Sequence, residues 1–280
     1  MAFLNSRSRR AVLGVATLAA ASLMTLSGPA RAADGWDDVK KAGVLRCGAA
    51  VAAPYVMRDA KSGQYSGFFV DLCRDFGEKE LKVKVEFVDT NWDNLVAGVQ
   101  SGGWDLALAL NETPERRKAV NFSSAAVDYQ ISFVVPKEGG KFGARPGNTL
   151  ADFDKPGVRF VVMSGTSQDK LLSAAIKQAS IQRLPGVDET RLALISKRAD
   201  VLVDANDTNR LFTVTNPRMQ EVLLQPTLGK QPVAFGMSLN RGETDVKTLS
   251  DYINRRRASG EIDALVEKAA RIAVEAVKKP

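Results

Sequence analysis

The stretch LALALNETPERRKAVNFS, residues 106–123, closes an alternating apolar run with Asn111-Glu112 and then opens a helix at Thr113-Pro114. Threonine is a good N-cap, and proline fits the first helical position. The first turn of a helix leaves backbone N–H groups unpaired and so favours an anion. Arg116 falls in that turn, where its positive charge opposes the helix dipole. A guanidinium beside free amides can share a carboxylate with them through two parallel hydrogen bonds. The other reading is an exposed Arg116 paired with Glu112 or Glu115; Arg117 reads as solvated.

Three further turns carry residues that could serve a site. VVMSGTSQDKLL, residues 161–172, runs from a strand through Gly165 into Thr166 and Ser167, natural caps for a second anion-facing helix start or for an ordinary helix. DTNWDNLV, residues 89–96, puts Trp92 at a helix start, where it either lines a cleft or staples the helix to the core. ADVLVDANDTN, residues 199–209, gathers Asp204, Asn206 and Asp207 after a strand, a composition that often only makes a turn. The chain has no histidine, which removes the usual general base and the commonest transition-metal ligand. No metal and no cofactor is expected.

The elements that must position these turns alternate. Strands are expected at 44–48, 83–88 and 106–110, with helices at 69–79 and 92–101 between them, a βαβαβ rhythm that argues for a parallel sheet covered by helices. After a strand at 130–135 and a Gly/Lys-rich loop at 136–147, a second rhythm begins. It has strands at 158–163, near 180 and at 201–203, with helices at 168–178, 189–197 and from about 206. A late strand at 232–239 can return the chain to the first unit, and helices at 245–257 and 261–278 follow. In such α/β sheets ligands bind beyond the carboxyl ends of the strands, which is where all four turns lie.

Residues 1–32 read as a secretory signal peptide: Arg7, Arg9 and Arg10, an apolar run from Ala11 to Leu26, then Ala30-Arg31-Ala32. The run is shorter than the ~20 residues of a membrane span, and Ser8-Arg9-Arg10-Ala11-Val12-Leu13 also resembles a twin-arginine export signal. This segment holds four of the 39 basic residues and none of the 32 acids, so the charge of +7 falls to +3 without it. Nucleic-acid binding is therefore not read from the charge. For the two cysteines, Cys47 and Cys73, a pair of buried free thiols is the expected state; a disulfide is the alternative that an exported chain permits.

Taken in order, GVLRCG, YSGFFVDLCRDF, WDNLVAGVQSGGWDLAL, TPERRKAVNFS, VVMSGTSQDK and KRADVLVDA resemble the polar-amino-acid class of periplasmic solute-binding proteins, extracellular family 3, from about Gly43 to Lys268. The resemblance implies an α/β, two-lobe periplasmic-binding-protein type II (Venus-flytrap) fold with a two-stranded hinge. Lobe 1 would be 34–129 plus 237–280, and lobe 2 would be 130–236. It implies a monomer in the periplasm that captures a small carboxylate-bearing solute and presents it to a membrane ABC permease. The Thr-x-x-Arg arginine of the family, here Arg116, would hold the ligand carboxylate. Asn111 would contact ligand, Thr166 and Ser167 would complete the carboxylate site, and Trp92 and Tyr55 would be aromatics beside the cleft.

The chain departs from the family in three places. GAAVAAPY has alanines at 49, 50, 52 and 53 where an acidic residue and an aromatic are common, and Gly67-Phe68-Phe69 replaces Gly-Phe-Asp. The carboxylate that commonly takes the ligand ammonium falls near Ala205; Asp204 is one residue off, where a strand end can turn it to the other side, and Asn206 or Asp207 can substitute. Either an aspartate reaches the cleft, or the ligand is an organic acid without an α-ammonium. A second function on the same fold is a periplasmic dehydratase acting on prephenate-like acids, with Glu112 as the first acid–base candidate and Asp204 the next. A third is a periplasmic sensor or accessory protein that acts by docking.

Overall fold

The computed structural model describes residues 36–278; the expected signal peptide lies outside them. Eight strands form one continuous order: Lys84–Thr90, Val44–Ala50, Leu106–Asn111, Lys230–Ser238, Val127–Pro136, Val201–Ala205, Arg159–Met163 and Ser180–Leu184. The first three are mutually parallel, and so are the last three. Leu106–Asn111 and Val201–Ala205 are buried at every position, as expected for parallel strands covered on both faces.

The middle two strands join the halves. Val127–Gln130 pairs antiparallel with Lys230–Val233. Beyond that crossing, Ile131–Val134 pairs with Val201–Ala205, while Val233–Gly236 pairs with Leu106–Asn111. The chain therefore passes between two α/β halves on two hydrogen-bonded strands. Expected and observed elements differ mainly at their ends. The strand expected at 130–135 begins at Val127, and the helix expected from Trp92 begins at Leu95. The helix expected at 69–79 is an α-helix only over Phe68–Asp75, followed by a π-helical segment at Phe76–Leu81. Strand Met219–Leu223, half-buried beside Val127–Pro136, has no counterpart in the expectation, because MQEVL shows neither an apolar run nor clean alternation.

Aromatic pairs fill both halves: Phe69 meets Phe235 at 4.9 Å, and Phe133 meets Phe153 at 5.2 Å. Cys47 and Cys73 are joined in a disulfide, which corrects the expectation of free thiols. Both side chains are fully buried, Cys47 on strand Val44–Ala50 and Cys73 on helix Phe68–Asp75. Trp36 is tied to the C-terminal region: its indole donates to the Asp245 carbonyl at 3.0 Å, and Arg241 stacks over it at 4.4 Å. Arg241 also pairs with Asp38, Asp105 and Asp245. No helix among the described residues is long and apolar enough to cross a membrane.

Candidate functional site

Strand Leu106–Asn111 carries a bulge: Ala234 pairs with Leu110 but Gly236 with Ala107, so one extra residue is inserted. Ala109 takes it up in a left-handed conformation, φ 55°, one that L-residues with a Cβ adopt at a cost near 1 kcal/mol. The bulge bends the strand just before Asn111. The helix that follows, Pro114–Arg117, is a single turn, and Thr113 Oγ1 accepts the Arg116 N–H at 3.2 Å. The Arg116 side chain curls back. Nη1 donates to the Asn111 carbonyl at 3.2 Å, and Nη2 crosses to the Gly165 carbonyl in the other half at 3.2 Å. These bonds use two of the five guanidinium N–H donors.

Arg116 is 5% exposed and, among the described residues, has no carboxylate in ion-pair range. Loss of hydration lowers its pKa from 12.5 to about 10. The surface-pair reading of Arg116 thus does not describe it. That reading fits its neighbour instead, because Glu112 pairs with the exposed Arg117.

The facing turn follows Arg159–Met163. Gly165 has φ 74°, and a Cβ there would lie 2.4 Å from Asp93 Oδ1. Only a bare backbone fits between the halves at this point. Thr166 caps helix Ser167–Ala175, accepting the Asp169 N–H at 3.2 Å and donating to the Met163 carbonyl at 2.8 Å. The Ser167 hydroxyl lies 3.0 Å from Asn111 Oδ1 and 2.7 Å from the Tyr129 hydroxyl. Tyr129 in turn donates to Gln231 Oε1 at 3.0 Å, so the bond chain runs from one half through the hinge strands.

The third turn leaves Val201–Ala205 for helix Asn206–Thr215. Asp204 is buried, and its Oδ1 accepts from the Ala205 N–H at 2.7 Å and from Gln168 Nε2 at 3.2 Å. Burial is the main influence on its pKa, which rises to about 6 against the opposing pull of those donors and of the Arg191 charge. Asp207 is also pushed up by burial; it accepts from the Tyr55 hydroxyl across the interface. Thr208 Oγ1 donates to the Ala53 carbonyl at 2.8 Å, a second link between the halves.

A small cavity lies among these turns. Of the expected residues, Asn111, Thr166, Trp92, Tyr55 and Asp204 line it. Arg116 lies behind Asn111 and lines a second cavity, larger and more open, with Lys170 and Glu115; Trp92 borders both. Ser167 stands behind the wall, and Asn206 is turned away, its Oδ1 accepting the Gln130 N–H at 3.0 Å. Tyr129, Gln168, Met163 and Thr208 line the cavity without having been expected. Gln168 could have been found as the next residue of a capped helix; Tyr129 gave no local signal, since its place depends on the strand crossing.

The chain belongs to the bacterial extracellular solute-binding proteins, family 3, which it matches over residues 45–271. A probable histidine-binding protein of Campylobacter jejuni is 25% identical to it over 209 residues, 74% of this chain and 78% of the relative. Cyclohexadienyl dehydratase of Pseudomonas aeruginosa is 26% identical over 229 residues, 80% and 81% of the two chains. The crystal structure of the ancestral amino acid-binding protein AncCDT-1, a precursor of cyclohexadienyl dehydratase, matches with a TM-score of 0.74 at 28% identity, covering 83% of this chain and 97% of that one. The fold is thus the two-lobe type II periplasmic-binding fold, with its hinge where Val127–Gln130 and Lys230–Val233 cross.

Proposed function

We propose that this protein is a periplasmic receptor that closes its two lobes over an α-amino acid and delivers it, as a monomer, to an ABC permease. The lobes are taken as 34–129 plus 237–280 and 130–236. The observation that carries the reading is a pair of buried charges at the cavity margins: Arg116 with no carboxylate partner among the described residues, and Asp204 whose hydrogen bonds come from neutral donors. A buried charge without a counter-charge is costly. An amino acid supplies both missing partners, its carboxylate for Arg116 and its ammonium for Asp204. The capped N-terminus of helix Ser167–Ala175 adds free amides on the carboxylate side. Asn111, Tyr55 and Trp92 bound the ligand, while Ser167 acts through Asn111. Calorimetry with amino acids and their 2-hydroxy-acid analogues tests this. Binding of the amino acids alone is expected, and equal binding of both series would remove Asp204 from the site.

Asp204 also favours a second reading, a dehydratase. An acid with a pKa of about 6 beside the cavity can donate a proton to a departing hydroxyl, which leaves as water while a ring carboxylate departs as CO2 and its bonding pair fills the vacated position. Glu112 does not line the cavity and is paired with Arg117, so the acid in this reading is Asp204. Water loss from a prephenate-like acid that stops in Asp204→Asn would support it.

A further inference from the structure

Resting on the amino-acid reading, we propose that the ligand's side chain is uncharged. The cavity wall among the described residues holds one ionisable carboxyl, Asp204, and no cationic side chain. Arg116 reaches the ligand only from behind Asn111. Once a carboxylate meets Arg116 and an ammonium meets Asp204, both buried charges are matched. The rest of the wall is uncharged, from Ala52, Ala109, Met163 and Val233 to the Trp92 ring and the hydroxyls and amides around it, so no full counter-charge remains for a third charge.

Asp207 is the nearest other acid, and it is committed. The Tyr55 hydroxyl and the Thr208 N–H donate to it, the latter at 2.8 Å, and the Tyr55 bond also joins the lobes. Asp207 does not line the cavity, so a cationic side chain held there has no direct access to that carboxylate. A long chain leaving past Trp92 would enter the second cavity beside Arg116 and Lys170, two like charges. Glu115 and Asp93 are also there, but both are exposed to water, where a pairing is worth little. An acidic side chain meets the converse problem: no cation lines the cavity, the Arg191 charge near its polar wall is already set against Asp204, and Asp204 would repel a second carboxylate. The alanines at 49, 50, 52 and 53 have the same sense. Ala52 is the one of them that lines the cavity, at a position where a carboxylate would have created a cation pocket.

The test is calorimetry on the wild-type protein with L-alanine, L-serine, L-glutamine and L-methionine against L-lysine, L-arginine and L-glutamate. At least one uncharged amino acid is expected to bind 30-fold or more tighter than every charged one. A smaller ratio, or a charged amino acid as the tightest ligand, overturns the inference while leaving amino-acid capture intact. If only deaminated acids bind, the amino-acid reading itself fails and the inference with it. Ala52→Asp adds a carboxylate to the wall and is expected to move the lysine-to-alanine preference at least tenfold towards lysine. An unchanged preference in a variant that melts as the wild type does would overturn the charge argument.

Discussion

Arg116→Met separates what the arginine does for the ligand from what it does for the fold. Burial lowers the guanidinium from 12.5 to about 10, a difference of about 3 kcal/mol between its charged states in the folded and unfolded chain. Because the folded value lies below the unfolded one, this cost is fully present at pH 7, where both states are charged. It fades only as pH rises through about 10. The bonds to the Asn111 and Gly165 carbonyls act the other way, at roughly 1.5 kcal/mol each for a charged donor. The terms nearly cancel. Arg116→Met should therefore change stability by less than about 1.5 kcal/mol, a melting shift within about 5 °C.

Its effect on binding should be much larger. A ligand at 100 times its Kd stabilises the wild type by about 2.7 kcal/mol, or roughly 5–10 °C for a chain of this size. Arg116→Met should show no such shift. Differential scanning fluorimetry with and without the ligand measures both effects. A variant destabilised by more than about 3 kcal/mol that still gains the ligand shift would mean that Arg116 is a structural clamp between the lobes.

Other perturbations reach separate parts of the same mechanism. Asp204 rises from 3.8 to about 6 on folding, so the empty protein should lose about 3 kcal/mol as pH climbs from about 4 to about 6. Its carboxylate must be ionised to take an ammonium, so affinity measured by calorimetry should be about tenfold weaker at pH 5 than at pH 7.5; Asp204→Asn should bind weakly and lack this dependence. Gly165→Ala places a Cβ against Asp93 of the opposite lobe. It should weaken ligand binding at least tenfold and enlarge the radius of gyration in small-angle scattering, while leaving the melting of the empty protein within a few degrees. Arg241→Ala removes the centre of the Asp38, Asp105, Asp245 and Trp36 cluster. It should cost about 3 kcal/mol of stability with no change in Kd, since no member of that cluster lines either cavity.

What could be read locally was read well. Thr113-Pro114 and Thr166 are caps whose partners lie three residues away, so their roles survive in the bare sequence. The same turn singled out Arg116, which is buried and bonds across to the Gly165 carbonyl. Failures came where the partner is distant. Asn206 has the composition of a site residue, yet its acceptor goes to Gln130 on a hinge strand, a contact made only once the strands cross. Tyr129 enters the cavity wall for the same reason. Asp204 shows a subtler limit. Alternation along a strand predicts which face a residue takes, but Ala205 is the last residue before the chain bends into a helix. At that bend Asp204 and Ala205 both line the cavity, and the one-residue offset from the family position loses its meaning.

The links between the lobes come from the strand-to-helix turns and from the Ala53–Tyr55 loop. Arg116 bonds to Gly165, Ser164 to Asp93, Thr208 to Ala53 and Tyr55 to Asp207. The sequence places its polar residues in those segments because a parallel sheet leaves its helix starts and last carbonyls unpaired there. Two such rims facing one another across a hinge satisfy part of that demand mutually. They leave Arg116 and Asp204 hydrogen-bonded to neutral groups alone, with the Arg191 charge acting on Asp204 from beyond ion-pair contact. On the proposed reading, a molecule carrying one charge of each sign supplies what those two residues lack, and the neutral contacts around them set how firmly the lobes shut.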